Sequence, residues 1–167
     1  MDLDTHTSSS SLERYSFYVL LALLVFSAVA LFLGGRPPIT LITGSSSVVW
    51  QLLSLGWLLS GVSAGYLAYQ WAQNKKQLFG RSDIEDTLAF VFMIAAGLNL
   101  GITGATGVNI FLDLFMGRLS YIVTGVLCIG VAGYLYKQWQ KNDDALFGAA
   151  GVTPPVSQTP SQQSNAG

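Results

Sequence analysis

The sequence predicts an all-α membrane protein, with four transmembrane helices arranged as two helical hairpins that enter the bilayer the same way round. Three observations carry this. Only 10% of the 167 residues are charged and 51% are hydrophobic, against roughly 25% charged in an ordinary soluble domain, so the chain is too apolar for water. Charge is absent from four stretches, 15–35, 37–74, 87–112 and 119–136, each as long as the roughly 17 to 25 residues that cross a bilayer as helix. Finally, Ala64-Gly65-Tyr66-Leu67-x-x-Gln70-Trp71-x-x-Asn74-x-x-x-Leu78-Phe79-Gly80 is written again 68 positions later as Ala132-Gly133-Tyr134-Leu135-x-x-Gln138-Trp139-x-x-Asn142-x-x-x-Leu146-Phe147-Gly148. Each copy closes an apolar run, the signature of a duplicated unit.

In chain order, residues 1–14 read as a disordered tail, because a Ser-rich stretch with so few apolar residues cannot bury enough area to offset its ordering entropy. The first span is expected near 16–34. A cleaved leader is rejected there: Asp2, Asp4 and Glu13 outweigh Arg14, the apolar part is too long, and no small-x-small site follows. Further spans are placed near 48–71, 87–105 and 119–137. None shows the period-two alternation a membrane barrel needs, and helices alone satisfy their backbone groups within the segment. The last stretch, 149–167, with Pro154, Pro155 and Pro160, reads as a second disordered tail.

The offset maps span one onto span three and span two onto span four. The first two-helix repeat thus covers 15–80 and the second 81–148. Each unit holds an even number of spans, so the copies are parallel repeats about an axis along the membrane normal. Of the eight basic residues, Arg14, Lys75, Lys76, Arg81, Lys137 and Lys141 fall on one side, and Arg36 and Arg118 on the other. The positive-inside rule then predicts a multi-pass protein of the cell membrane with both termini cytoplasmic and two short outer loops.

Between lipid-exposed helices, small residues permit close backbone approach. Gly61 and Gly65 in span two, Gly97 and Gly101 in span three, and Gly125 and Gly133 in span four are the expected packing positions, with span one more peripheral. In the repeated segment, Gln70, Trp71, Asn74, Gln138, Trp139 and Asn142 read as an interfacial continuation of each helix, capped by Gly80 or Gly148, with the Leu-Phe pair returning to the membrane surface. Aromatic anchoring explains the rings; a paired docking site for a cytoplasmic partner is the competing reading.

Polar residues inside a membrane are costly and point first to function. Asn99 in span three is the best candidate, with Gln51 near the outer end of span two as a weaker one. Asp113 and Arg118 are close enough in sequence to form an ion pair at the outer surface. Interhelical hydrogen bonding is the plainer account of Asn99.

Asn99-Leu100-Gly101-Ile102-Thr103-Gly104, then Asp113, then Arg118-x-x-Tyr121-x-x-x-Gly125 and Gly133 resemble the core of the YuzA-like family, small bacterial membrane proteins built on an uncharacterised two-helix domain. The resemblance covers about residues 88–136. Leu100 stands where that family has Trp, and the first repeat lacks the signature, like a diverged copy. The resemblance implies fold and membrane location, but no reaction.

Chemistry is sparse. Cys128 is the sole cysteine, so no internal disulfide or multi-cysteine metal site is available. His6 lies in a tail, Cys128 has no nearby base, and acid–base or nucleophilic catalysis needs positioned titratable groups. A net charge of -1 argues against nucleic acid. The expected function is therefore non-catalytic and without cofactor or metal. The protein would act as scaffold, assembly subunit or membrane modulator, with the lipid bilayer and a homo-oligomer or another membrane protein as partners. The alternative is a transporter or channel passing a small uncharged solute between the repeats.

Overall fold

A computed structural model describes residues 5–114 and 117–147. Its helices run in the order α1 (Thr5–Phe32), α2 (Ile39–Thr43), α3 (Ser47–Gln73), α4 (Ile84–Thr106), α5 (Ile110–Leu114) and α6 (Arg118–Lys141), with no strand among the described residues. Four of them, α1, α3, α4 and α6, are long and apolar enough to cross a membrane. Short helices α2 and α5 sit in the two connections at one end of the bundle, here the loop end. The opposite end carries both copies of the Leu-Phe pair and is here the Leu-Phe end.

Local chemistry fixes most boundaries. Ser46 precedes α3, and its hydroxyl accepts from Val49 N–H at 3.4 Å. Asp83 caps α4 by accepting from Glu85 N–H at 3.1 Å, and Glu85 and Asp86 in the first turn face the positive end of the helix dipole. That helix stops at Gly107, whose left-handed backbone (φ 77°) lets its N–H bond Thr103 O.

The caps of α3 and α6 differ from expectation. Both helices close at asparagines, Asn74 and Asn142, not at Gly80, and Gly148 lies outside the described residues. After each asparagine come two residues with positive φ, Lys75 and Lys76 in one copy and Asp143 and Asp144 in the other. Lys76 N–H then bonds Trp71 O and Asp144 N–H bonds Trp139 O, while Gln77 N–H and Ala145 N–H return to Asn74 O and Asn142 O. The two copies thus share one terminal turn. Gly80 (φ 71°) instead serves a tight turn in which Leu78 and Arg81 exchange both backbone hydrogen bonds at 2.9 Å.

At the N-terminus, α1 begins at Thr5, so residues 5–14, expected as tail, continue a helix. Two of them gain partners from far along the chain. Glu13 accepts from Leu146 N–H at 3.0 Å, and Arg14 pairs with Asp144 at 3.5 Å while its guanidinium lies over the Trp139 ring at 5.7 Å. The tail expected at 149–167 lies outside the described residues.

The dominant packing is between hairpins: α3 lies chiefly on α4 and α1 chiefly on α6, whereas α3 and α6 do not touch. Span one is therefore not peripheral. It supplies Phe17, Leu20, Leu21 and Leu24 to the core along with Ala28, and the first four are large apolar residues that a search for small ones does not find. The α3–α4 crossing is the closest. A Cβ placed on Gly61 would stand 2.7 Å from Gly101 Cα, and one on Gly97 would meet Leu20 and Ala64. Ser60 Oγ donates to Gly97 O across the same contact at 3.3 Å. Gly104, absent from the expected set, is packed against Ser54 O and Leu58 N, and Gly125 against the Phe32 ring.

Gly65 and Gly133 are corrections to the expected packing set. A Cβ at either meets nothing within 4 Å. The packed stripe of α3 follows Ser60, Ser63, Ala64 and Leu67, which at helical spacing turns Gly65 outward. On α6, Ala132 and Leu135 are buried and Gly133 is exposed for the same reason.

Only 22 to 33% of each span's most apolar window is buried in the bundle, and Phe26, Leu52, Leu55, Leu88 and Leu119 are all more than 60% exposed. So much outward apolar surface is what a lipid-facing bundle requires and what a protein in water avoids.

Candidate functional site

The loop-end half of the bundle does not close. A chamber of about 740 Å³ lies there, lined by residues of α1, α3, α4 and α6, in the size range of small-molecule sites. Its two sides differ. The first hairpin contributes apolar groups, among them Leu23, Phe26, Leu53 and Trp57. Polar side chains come mainly from the second hairpin: Asn99, Thr103, Asn109, Tyr121 and Thr124. Every residue on the wall is uncharged, and Cys128, the sole thiol, is part of it.

Asn99 is 6% exposed and is used by its own hairpin. Its Nδ2 donates to Asn109 Oδ1 at 2.9 Å, and its Oδ1 accepts from Phe111 N–H at 3.2 Å. One buried amide thus pins the connection after α4 and the start of α5. Thr103 Oγ1 donates back to Asn99 O at 2.8 Å. The expected interhelical bond is replaced by a clamp on the loop that borders the chamber. Tyr121 and Thr124 are half-buried, and their hydroxyls have no hydrogen-bond partner among the described residues.

Gln51 is exposed and is not part of the chamber wall, so Asn99 and Gln51 do not converge. Asp113 and Arg118 are both exposed, and no ion pair joins them among the described residues. Five positions of separation across a break between α5 and α6 do not bring the two side chains together.

The other half of the bundle is tightly filled. Leu78 and Leu146, from the two Leu-Phe-Gly segments, are at most 1% exposed, and Phe79 N–H donates to Leu146 O at 2.8 Å. The Leu-Phe pairs therefore return into the bundle rather than onto a membrane surface. The repeated tryptophans do likewise. Trp139 is 2% exposed, packed on Phe17 at 5.6 Å and Tyr18 at 5.1 Å. Trp71 packs on Phe90 at 5.7 Å, with its indole N–H buried and unpartnered among the described residues. Gln70 donates to Tyr66 Oη one turn earlier at 3.1 Å. Asn74 Nδ2 caps Gln70 O, and Asn142 Nδ2 donates to Ala145 O.

Asp86 is the residue sequence reasoning missed. Its side chain is fully buried, and it accepts from Arg81 Nε at 2.7 Å and from Tyr134 Oη at 2.7 Å. Bonded to this carboxylate, the Arg81 guanidinium is held above its ordinary pKa, with the Asp86 and Asp83 charges adding to the effect. The available signal was an acidic residue in the first turn of a span and a tyrosine inside the repeated segment. Among the described residues, no three His, Cys, Asp or Glu side chains gather as a metal site.

No family model matches the chain, and no curated protein or solved structure matches it either.

Proposed function

We propose that this is a non-catalytic integral membrane protein that holds an uncharged molecule in the chamber between its two hairpins. The observation that carries the reading is a space of about 740 Å³, walled by all four long helices without a single charged side chain. An ion would find no countercharge there and would keep most of its desolvation cost, whereas a neutral molecule meets apolar walls and a few hydroxyls and amides.

This favours ligand or solute binding over the scaffold reading. The scaffold reading drew on the repeated Gln-Trp-x-x-Asn segment as a docking surface, and its tryptophans point into the bundle. We assign the Leu-Phe end to the cytoplasm of a cell-membrane protein, since six of the eight basic residues lie there, and with it the chamber to the outer half. The duplicated sequence and the exchange of packing partners between hairpins support two parallel repeats. The resemblance of residues 88–136 to YuzA-like proteins agrees with a membrane role, Asn99 being the clamp within that signature.

The test uses Cys128 as reporter. Gly56 lines the chamber, and a side chain there meets no protein atom within 4 Å of its Cβ, so Gly56→Phe fills the space with little strain. Native mass spectrometry from mild detergent is expected to show a bound non-protein mass on the wild-type chain that Gly56→Phe lacks. N-ethylmaleimide is expected to label Cys128 more slowly in that variant. A wild-type chain free of extra mass, with labelling unchanged by Gly56→Phe, would remove the proposed function.

A further inference from the structure

Resting on that reading, we infer that the chamber's occupant is an uncharged lipid, with a hydrocarbon chain against the first hairpin and a carbonyl-bearing head bonded by Tyr121 and Thr124. The wall is divided in a way that fits such a molecule. Leu23, Phe26, Leu53 and Trp57 offer an apolar surface on which a chain loses no hydrogen bond. On the second hairpin, Tyr121 and Thr124 carry hydroxyl donors that bond no described protein group and line the chamber, so they are free to donate to a ligand. A carbonyl oxygen on the ligand supplies the acceptor. Asn99 is not available for this role because its amide already holds Asn109 and Phe111.

A sugar-like or zwitterionic solute fits less well. Each of its polar groups would need a partner in the chamber, and the wall is predominantly apolar, with few side-chain donors and acceptors to give. A phosphate head would lie against a wall with no cation.

The experiment reconstitutes the full chain in phosphatidylcholine vesicles with one of two photoactivatable probes, a diacylglycerol or a simple alkane, each bearing a diazirine on its chain. Labelled residues are read by peptide mapping. In the wild type, the diacylglycerol is expected to label chamber residues of α1 and α3 about tenfold more than the alkane. Tyr121→Phe with Thr124→Val is expected to bring the diacylglycerol down to the alkane level and leave the alkane unchanged. If both probes label the chamber equally, and the double variant changes neither, the carbonyl-headed lipid is wrong while the binding function stands. Displacement of the diacylglycerol by phosphatidylglycerol, but not by unlabelled diacylglycerol, would replace it with an anionic lipid. Labelling that Gly56→Phe does not reduce for either probe would sink the chamber reading itself.

Discussion

Tyr134 Oη donates to a carboxylate oxygen of Asp86 at 2.7 Å, joining α6 to the first turn of α4 across 48 positions of sequence. The carboxylate's other oxygen takes Arg81 Nε, and the helix dipole of α4 adds to its stabilisation. A fully buried charge is tolerated only with such partners, because its desolvation must be offset by hydrogen bonds of good geometry. This contact holds the Leu-Phe end shut, together with the buried Leu78 and Leu146 and the backbone bond from Phe79 N–H to Leu146 O.

Removal of that bond is expected to cost more than an ordinary surface change. Tyr134→Phe should lower unfolding stability in detergent by about 1.5–3 kcal/mol, the range for hydrogen bonds to charged groups. Asp86→Asn combined with Tyr134→Phe should fall by less than the sum of the single changes, because the two residues share one interaction. Strict additivity would show that the pair is not coupled.

Glycines in the same helices should separate into two classes. Gly61→Ala and Gly101→Ala each drive a methyl into the opposing backbone, and overpacking of that kind costs about 1–3 kcal/mol. Gly65→Ala and Gly133→Ala meet open space and should stay within about 0.5 kcal/mol of wild type. Thermal unfolding of the four variants in one detergent distinguishes the classes, and equal losses would refute the crossing at Gly61 and Gly101.

Asn99→Leu removes the clamp without touching the Leu-Phe end. Hydrogen exchange at Phe111 and through residues 107–111 should accelerate, while the backbone amide of Phe79 at the far end keeps its protection. Acceleration at both ends would indicate general loosening and would argue against a local clamp.

Trp139→Ala deletes a ring that is 2% exposed and in contact with Phe17 and Tyr18. A loss of about 3–5 kcal/mol is expected, as for large buried aromatics in general. Unchanged thermal stability would instead restore the surface docking site read from the repeat.

The spans were legible because lipid imposes a length and a composition: the expected segment at 48–71 is α3 at Ser47–Gln73, and that at 119–137 lies within α6 at Arg118–Lys141. Gly61, Gly97 and Gly101 were legible as well, since close helix approach demands small residues. Gly65 and Gly133 satisfied the same pattern and face outward, because spacing along one helix does not say which side meets a neighbour. Asp86 escaped for a different reason. At the edge of a span an acidic residue reads as solvated, and only the docking of α6 through Tyr134 buries it.

Composition alone determined that this chain forms four membrane-length helices, since apolar runs without period-two alternation can satisfy their backbone groups in lipid only as helices. Tertiary structure decided which helices pair across the hairpins, which end of the bundle is filled and which is hollow, and that Asn99 holds a loop while Asp86 holds a helix. Those outcomes depend on contacts between residues far apart in the chain, and side-chain periodicity along a single helix carries no information about them.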